Sequence, residues 1–298
     1  MKQNRIGLLL AAALSVLFFF PAGLRAWDEP PKTLKEKSDE IAEREKIASA
    51  GVKRKIAYKC EVAEGKITER KILVVTEDFD RKGRTSAIET YYGFSLKNRI
   101  EFSYDASGNM TGGTQLSPKN QVQEKASFAF DAEGRLVYGE YLDASGAVKE
   151  SFRYTRSEDN KSITSARYKG KTVLASRALF SYPASLDRTD CRLIERTTDQ
   201  GALALTTELY YRADGKLAEQ ILLATGGKEL HRFSYEYDRD GNNIRITKTV
   251  PDGVTEWTEK FIYYKKGICV ERQKYNSKNE LESALKFEYE YFQGDDKK

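Results

Sequence analysis

Asp238, Asp240 and Asn242, in the stretch FSYEYDRDGNN, are the residues whose types and spacing come nearest to a chemical site. Three oxygen donors around a glycine could hold a calcium ion, and two close carboxylates could work as an acid pair. A calcium loop of the helix–loop–helix kind sets its glycine at the sixth place and closes with a bidentate glutamate. Here the glycine is fourth and no glutamate closes the loop. The same places are filled by Asp131-Ala-Glu-Gly134 and Asp105-Ala-Ser-Gly108, where the donor set is not kept. Asp ahead of Gly at this distance is what a type I turn followed by a left-handed residue selects. The expectation is a turn, with no metal.

Other chemistries fare no better. A glycosidase needs only two carboxylates at a suitable separation. The 45 acidic residues, however, read as lying in turns or on polar strand faces, where nothing raises their pKa. His231 is the one histidine, which removes Ser-His-Asp, Cys-His and multi-His metal chemistry. Cys60, Cys191 and Cys269 are too far apart for a CxxC or zinc pattern. They allow either one disulfide with a thiol left over or three buried thiols acting as small hydrophobes. The remaining candidates are aromatic. Tyr211, Tyr237, Tyr263 and Tyr289 recur every 26 residues, and Trp257 shares their strand phase. Rings at equivalent places could stack sugars along a glycan, or they could be the core of the sheet that carries them. No catalytic residue, metal ligand or cofactor is expected.

The elements that must position these rings can be read outward from the N-terminus. Lys2 and Arg5 precede an apolar run from Ile6 to Phe20, and Leu24-Arg25-Ala26 follows Pro21 and Gly23. This is the layout of a secretory signal with Ala26 as the last residue removed, and the run is too short to span a bilayer as a helix. Loss of Lys2, Arg5 and Arg25 lowers the formal charge from +5 to +2. Lys and Glu alternate without basic clusters, which argues against a nucleic-acid groove. Residues 27–55 are dense in Lys, Glu and Ala, with Leu34, Ile41 and Ile47 near helical period. They read as a short solvated helix or linker.

From 56 to 292 the chain becomes a meander. Gly201, Gly215, Gly227, Gly241, Gly253, Gly267 and Asn279 are separated alternately by 14 and 12 residues, so two strands and two turns repeat every 26. In LHRFSYEY, Phe233, Tyr235 and Tyr237 share one face and Arg232, Ser234 and Glu236 the other. Period two with one apolar face means half-buried antiparallel strands. Ile262, an apolar residue on the polar face, hints at a second covering layer near the C-terminus. Glu259 and Lys274 interrupt the aromatic phase.

The units Phe102-Ser-Tyr104-Asp105-Ala-Ser-Gly108, Phe128-Ala-Phe130-Asp131-Ala-Glu-Gly134 and Tyr235-Glu-Tyr237-Asp238-Arg-Asp-Gly241 resemble the tyrosine–aspartate (YD) repeats of Rhs-type bacterial proteins. Tyr211-Arg-Ala-Asp214-Gly215 is a degenerate copy. The resemblance implies a long curled antiparallel sheet, which in large members of the family spirals into a shell. About eight hairpins are too few to close such a shell, and only a short tail, 293–298, follows. The sequence therefore predicts an all-β chain: an extended, curled antiparallel sheet preceded by a short helix or linker. The function expected is a non-enzymatic binding or scaffold surface, periplasmic or secreted, with an envelope protein or glycan as partner. Self-association through the sheet is also expected to be possible. The alternatives are a carbohydrate-binding or hydrolytic protein, and an outer-membrane β-barrel.

Overall fold

The computed structural model of the chain describes residues 34–159, 161–182, 193–198, 200–264 and 267–293. The signal segment with Ala26, Cys191 and residues 294–298 of the tail lie outside the described residues. A helix, α1 (Leu34–Ser49), comes first, inside the span expected for it, and Gly51 (φ 70°) turns the chain into the sheet. The strands begin with β1 (Val52–Ala63), β2 (Lys66–Phe79), β3 (Thr85–Tyr92), β4 (Ser95–Tyr104), β5 (Met110–Leu116) and β6 (Val122–Phe130). Next come β7 (Leu136–Asp143), β8 (Val148–Arg156), β9 (Ser162–Lys169), β10 (Val173–Ser181), β11 (Leu193–Thr198) and β12 (Leu203–Tyr211). The last are β13 (Leu217–Ala224), β14 (Glu229–Tyr237), β15 (Asn243–Thr249), β16 (Thr255–Tyr264), β17 (Ile268–Asn276) and β18 (Leu281–Tyr291).

Every strand pairs antiparallel with its sequence neighbours, and β18 returns to β1 with Ala57 opposite Phe287 and Lys55 opposite Tyr289. The sheet is thus a closed barrel of eighteen strands. This bears out the all-β expectation and corrects that of an extended, curled sheet with too few hairpins to close a shell. Two forces act toward closure. An open sheet with one apolar face must curl to cover it, and two unpaired edges each leave a row of unbonded N–H and C=O groups. Joining the edges answers both needs.

The turns supply the curl. At Asp131–Arg135, the Gly134 N–H donates to the Asp131 carbonyl (2.9 Å) and the Asp131 N–H to the Arg135 carbonyl (2.9 Å). Gly134 sits at φ 70°, and the β6–β7 register shifts beside it. The same turn-and-bulge recurs at Asp105–Asn109, Arg212–Lys216 and Asp238–Asn242. Each bulge adds right-handed twist to its hairpin.

Register divides the side chains into two faces. Phe180 and Phe233 (both 0 % exposed), Ile163, Leu209, Tyr235 and Ile246 face inward and join one apolar cluster that runs from β6 to β16. A second cluster, built from Ala57, Val74, Val75, Cys269 and Phe287, lies at the β1–β18 seam. The outward positions carry paired charges: Arg54 with Asp78, Arg99 with Glu89 (2.9 Å), Arg232 with Glu219 (2.7 Å) and Arg245 with Glu236 (3.1 Å). Ile262 points outward and is exposed, so nothing among the described residues forms a second layer there. Barrel closure is what the outer-membrane alternative predicts, but the polarity is reversed. A membrane barrel turns its apolar residues out toward lipid and its polar ones in.

Helix α1 lies across one mouth. Arg44 Nη1 donates to the Gly108 carbonyl (3.0 Å) in the β4–β5 turn, and its guanidinium sits over the Tyr104 ring. A Cβ on Gly83, in the β2–β3 turn, would lie 2.0 Å from the Arg44 carbonyl oxygen. Farther round the rim, Lys46 Nζ donates to Asn242 Oδ1 (3.1 Å) in the β14–β15 turn. The helix is held by polar contacts to turns, which accounts for its thin apolar stripe.

Candidate functional site

The aromatic rungs come first, because the sequence singled them out. Tyr237, Tyr263 and Tyr289 end or nearly end β14, β16 and β18, on the inward face near the α1 mouth. Each phenol donates to a carbonyl at the start of the preceding strand: Tyr237 to Leu217 (2.9 Å), Tyr263 to Asn243 (2.9 Å) and Tyr289 to Cys269 (2.6 Å). Tyr104 does the same to Thr85 (2.7 Å). Every such bond ties two adjacent strands together beyond the last backbone pair of their ladder. Burial pushes the phenols of Tyr104 and Tyr237 up to about 12, and those of Tyr263 and Tyr289 upward as well. Tyr211 packs against the main cluster. Trp257 sits nearer the other mouth, 6.1 Å from Phe233 between ring centroids. These five residues therefore line the lumen, with their rings in contact with core and the three phenols bonded to backbone.

Removing only the hydroxyl separates the two roles of a rung. Tyr237→Phe should lower unfolding free energy by about 1 kcal/mol, the size of one hydrogen bond. Tyr237→Ala should lower it by roughly 3–5 kcal/mol. Urea unfolding of both proteins checks the pair, and equal losses would contradict this division.

The aspartates that open the turns are engaged, whereas Asp240 is exposed at the tip of its turn. Asp238 Oδ1 accepts from the Asn242 N–H (2.8 Å) and Oδ2 from Asn242 Nδ2 (2.8 Å). Asp131 accepts from the N–H groups of Glu133 (3.1 Å) and Arg135 (2.8 Å) and from Arg135 Nε (2.6 Å). These carboxylates act as staples of the turn. Among the described residues no cluster of His, Cys, Asp and Glu is arranged to hold a metal. Partial burial favours the neutral form of Asp131 and Asp238, but the donated hydrogen bonds outweigh it and hold both below the usual carboxylate range. A depressed folded pKa stabilises the protein at pH above the unfolded value, about 3.9, and that contribution is lost as pH falls through the folded pKa. Asp131→Asn should therefore cost about 1 kcal/mol at neutral pH and flatten the acid limb of the stability curve. Denaturant midpoints followed down the pH scale measure this.

Among the acids that depart from the expectation that all lie on polar faces or in turns are Glu259, Glu77 and Glu150, the last opposite Tyr141 with Arg167 Nη2 2.8 Å from its Oε1. Glu259 points inward between Trp257 and Phe261, and Arg272 meets it with Nη2 2.5 Å from Oε1 and Nε 3.1 Å from Oε2. Glu77 also points inward, with Lys55 Nζ 3.9 Å away and the Thr85 hydroxyl donating to it (2.8 Å). The signal for the first pair was present. Glu259 breaks the aromatic alternation of β16, and Lys274, its register partner, breaks that of β17 beside Arg272. Complementary breaks on adjacent strands mark an ion cluster rather than a surface. A cation faces each buried carboxylate, so none is placed as a free base.

His231 Nδ1 lies 3.9 Å from Glu256 Oε2, whose partner is Lys248 Nζ (2.7 Å). Burial and the Lys248 charge push the imidazole below its ordinary value. Cys60 and Cys269 are both buried free thiols, their pKa values raised chiefly by burial.

No family model matches the chain, and no curated protein does. Among solved structures, it is similar to a porin-like protein from Bacteroides uniformis at 8 % identity and a TM-score of 0.42, covering 80 % of this chain and 98 % of that one. A porin-like protein from Bacteroides vulgatus gives 10 % identity and 0.33, covering 79 % and 97 %. The TcdB2–TccC3 structure without its hypervariable C-terminal region gives 15 % and 0.25, and 68 % of this chain matches 12 % of that one. None of these likenesses extends to function.

Proposed function

We propose that this chain is an exported, water-soluble, non-enzymatic barrel that serves as a binding or scaffold element of the bacterial envelope. The polarity of its wall carries the proposal. Outward positions around the ring hold ion pairs such as Arg99–Glu89 and Arg245–Glu236, while aromatic side chains fill inward ones. The signal-like start of the sequence supports export, and the recurring aromatic strand followed by Asp-x-x-Gly supports kinship with tyrosine–aspartate repeats. Engagement of the aspartates that open the turns and pairing of Glu77 and Glu259 support a non-enzymatic role. The partner class we favour is an envelope protein or a glycan.

Closure into eighteen strands favours one second reading, an outer-membrane barrel. Purification of the chain from residue 27 onward decides between them. A species that stays monodisperse without detergent and gives no conductance in planar bilayers fits the proposal. A detergent requirement or discrete channel currents would establish the second reading. Affinity capture from envelope extracts and a glycan array, run on that material, then test the partner class.

A further inference from the structure

We propose that the mouth opposite α1 is a docking face for an anionic phospholipid bilayer surface. The strands meet in tight turns there, and turn tips are ordinarily polar. Tyr92 and Phe94 stand at the β3–β4 turn, 86 % and 93 % exposed, the two most exposed large apolar residues described. Val173 at the β9–β10 turn and Val254 at the β15–β16 turn are also exposed. Other exposed apolar residues are dispersed, on strand walls (Tyr210, Ile262), on α1 (Ile41) and singly at the α1 mouth (Tyr264).

The placement of the tips selects the partner. The β3–β4, β9–β10 and β15–β16 turns are six strands apart around the ring. At about 4.8 Å per strand they stand roughly 29 Å apart along the rim. A specific protein partner needs a contiguous patch of about 800 Å² on each side. Three separated tips make no such patch, but together they touch a flat, extended surface. Exposed lysines flank them on the same rim: Lys66, Lys119, Lys171, Lys228 and Lys278. Acids share this rim: Glu64 is exposed beside Lys66, while Asp143, Asp252 and Glu280 accept hydrogen bonds from N–H donors of their own turns. Aromatic tips beside lysines are the composition that lodges at the headgroup level of anionic membranes.

The test is flotation of the purified chain, from residue 27 onward, with phosphatidylethanolamine/phosphatidylglycerol vesicles. The wild-type protein should float with the vesicles, and less so with phosphatidylcholine alone. Tyr92→Ser with Phe94→Ser should weaken partitioning by about tenfold for each ring removed. Tyr264→Ser, at the α1 end, should leave it unchanged. A tryptophan at Phe94→Trp should shift to the blue on vesicle addition. Wild-type protein left at the bottom of the gradient, or a double variant that floats as well as wild type, overturns the proposal. So does a vesicle-free dimer that the double variant dissolves, because the rim would then bind a second copy. A protein soluble without detergent that ignores vesicles loses only this inference, whereas one that needs detergent loses the proposed function itself.

Discussion

Phe152→Ala is expected to lower the unfolding free energy by roughly 3–5 kcal/mol, as loss of a buried ring does. Phe152 is 2 % exposed on β8 and packs against Phe128, Tyr141 and Tyr154 at ring separations of 6.2, 6.0 and 5.5 Å. Its ring also lies flat over Gly139 of β7, where an added Cβ would stand 2.0 Å from its nearest atom. Gly139 is opposite both Phe128 and Phe152, so its missing side chain is the space those rings use. Gly139→Ala should therefore cost 1–3 kcal/mol, about the usual penalty of overpacking. The two changes should not add. Once Phe152 is truncated, the new methyl enters the vacated volume, and the double variant should be clearly more stable than the sum of the singles. Equilibrium urea unfolding of all four proteins closes the cycle. Strict additivity would mean that the ring does not rest on the glycine.

Glu259→Ala is the second large effect, also roughly 3–5 kcal/mol, because it leaves the Arg272 guanidinium buried without its carboxylate. Only 14 % of the Arg272 side chain is exposed, and its guanidinium also lies over the face of Phe261 at 5.8 Å. Replacing both partners, Glu259→Leu with Arg272→Leu, should restore most of the loss, since burying two charges is expensive in itself. Thermal and urea melts of the single and double variants give the comparison. A single variant within about 1 kcal/mol of wild type would mean that the pair is bathed in water, as at a surface. The lumen would then be wet at this level.

The sequence made the strands and turns legible because their determinants are local. The 14- and 12-residue spacings of Gly201 to Asn279 locate the hairpins, and the Asp-x-x-Gly turn predicted at Asp238 is the one formed. Closure was not legible. Whether β18 meets β1 depends on twist and stagger summed over the whole ring, and no single hairpin encodes that sum. Counting hairpins gave the wrong answer for that reason. The inward position of Tyr237 and Tyr263 could be read from alternation, but not the phenol bonds to Leu217 and Asn243, which depend on how the neighbouring strand ends. Glu259 was visible as an interruption, and only the register, which sets it beside Arg272, gives it a meaning. The role of α1 was hidden for another reason. Its contacts are with Gly83, Gly108 and Asn242, turn residues far away in the chain.

The seam also has a consequence in time. Lys55 and Tyr289 are neighbours across β1 and β18, yet nearly the whole described chain lies between them. Hairpins such as β6–β7 can zip as soon as their two strands exist, whereas the seam carries the largest loop-closure entropy in the molecule. Until β18 is available, a growing sheet exposes β1 along one edge and its newest strand along the other. Both are templates for pairing with another chain. The vulnerable period of this barrel therefore runs until its last strand is delivered, and a chain stopped short of Leu281 would stay in that state permanently.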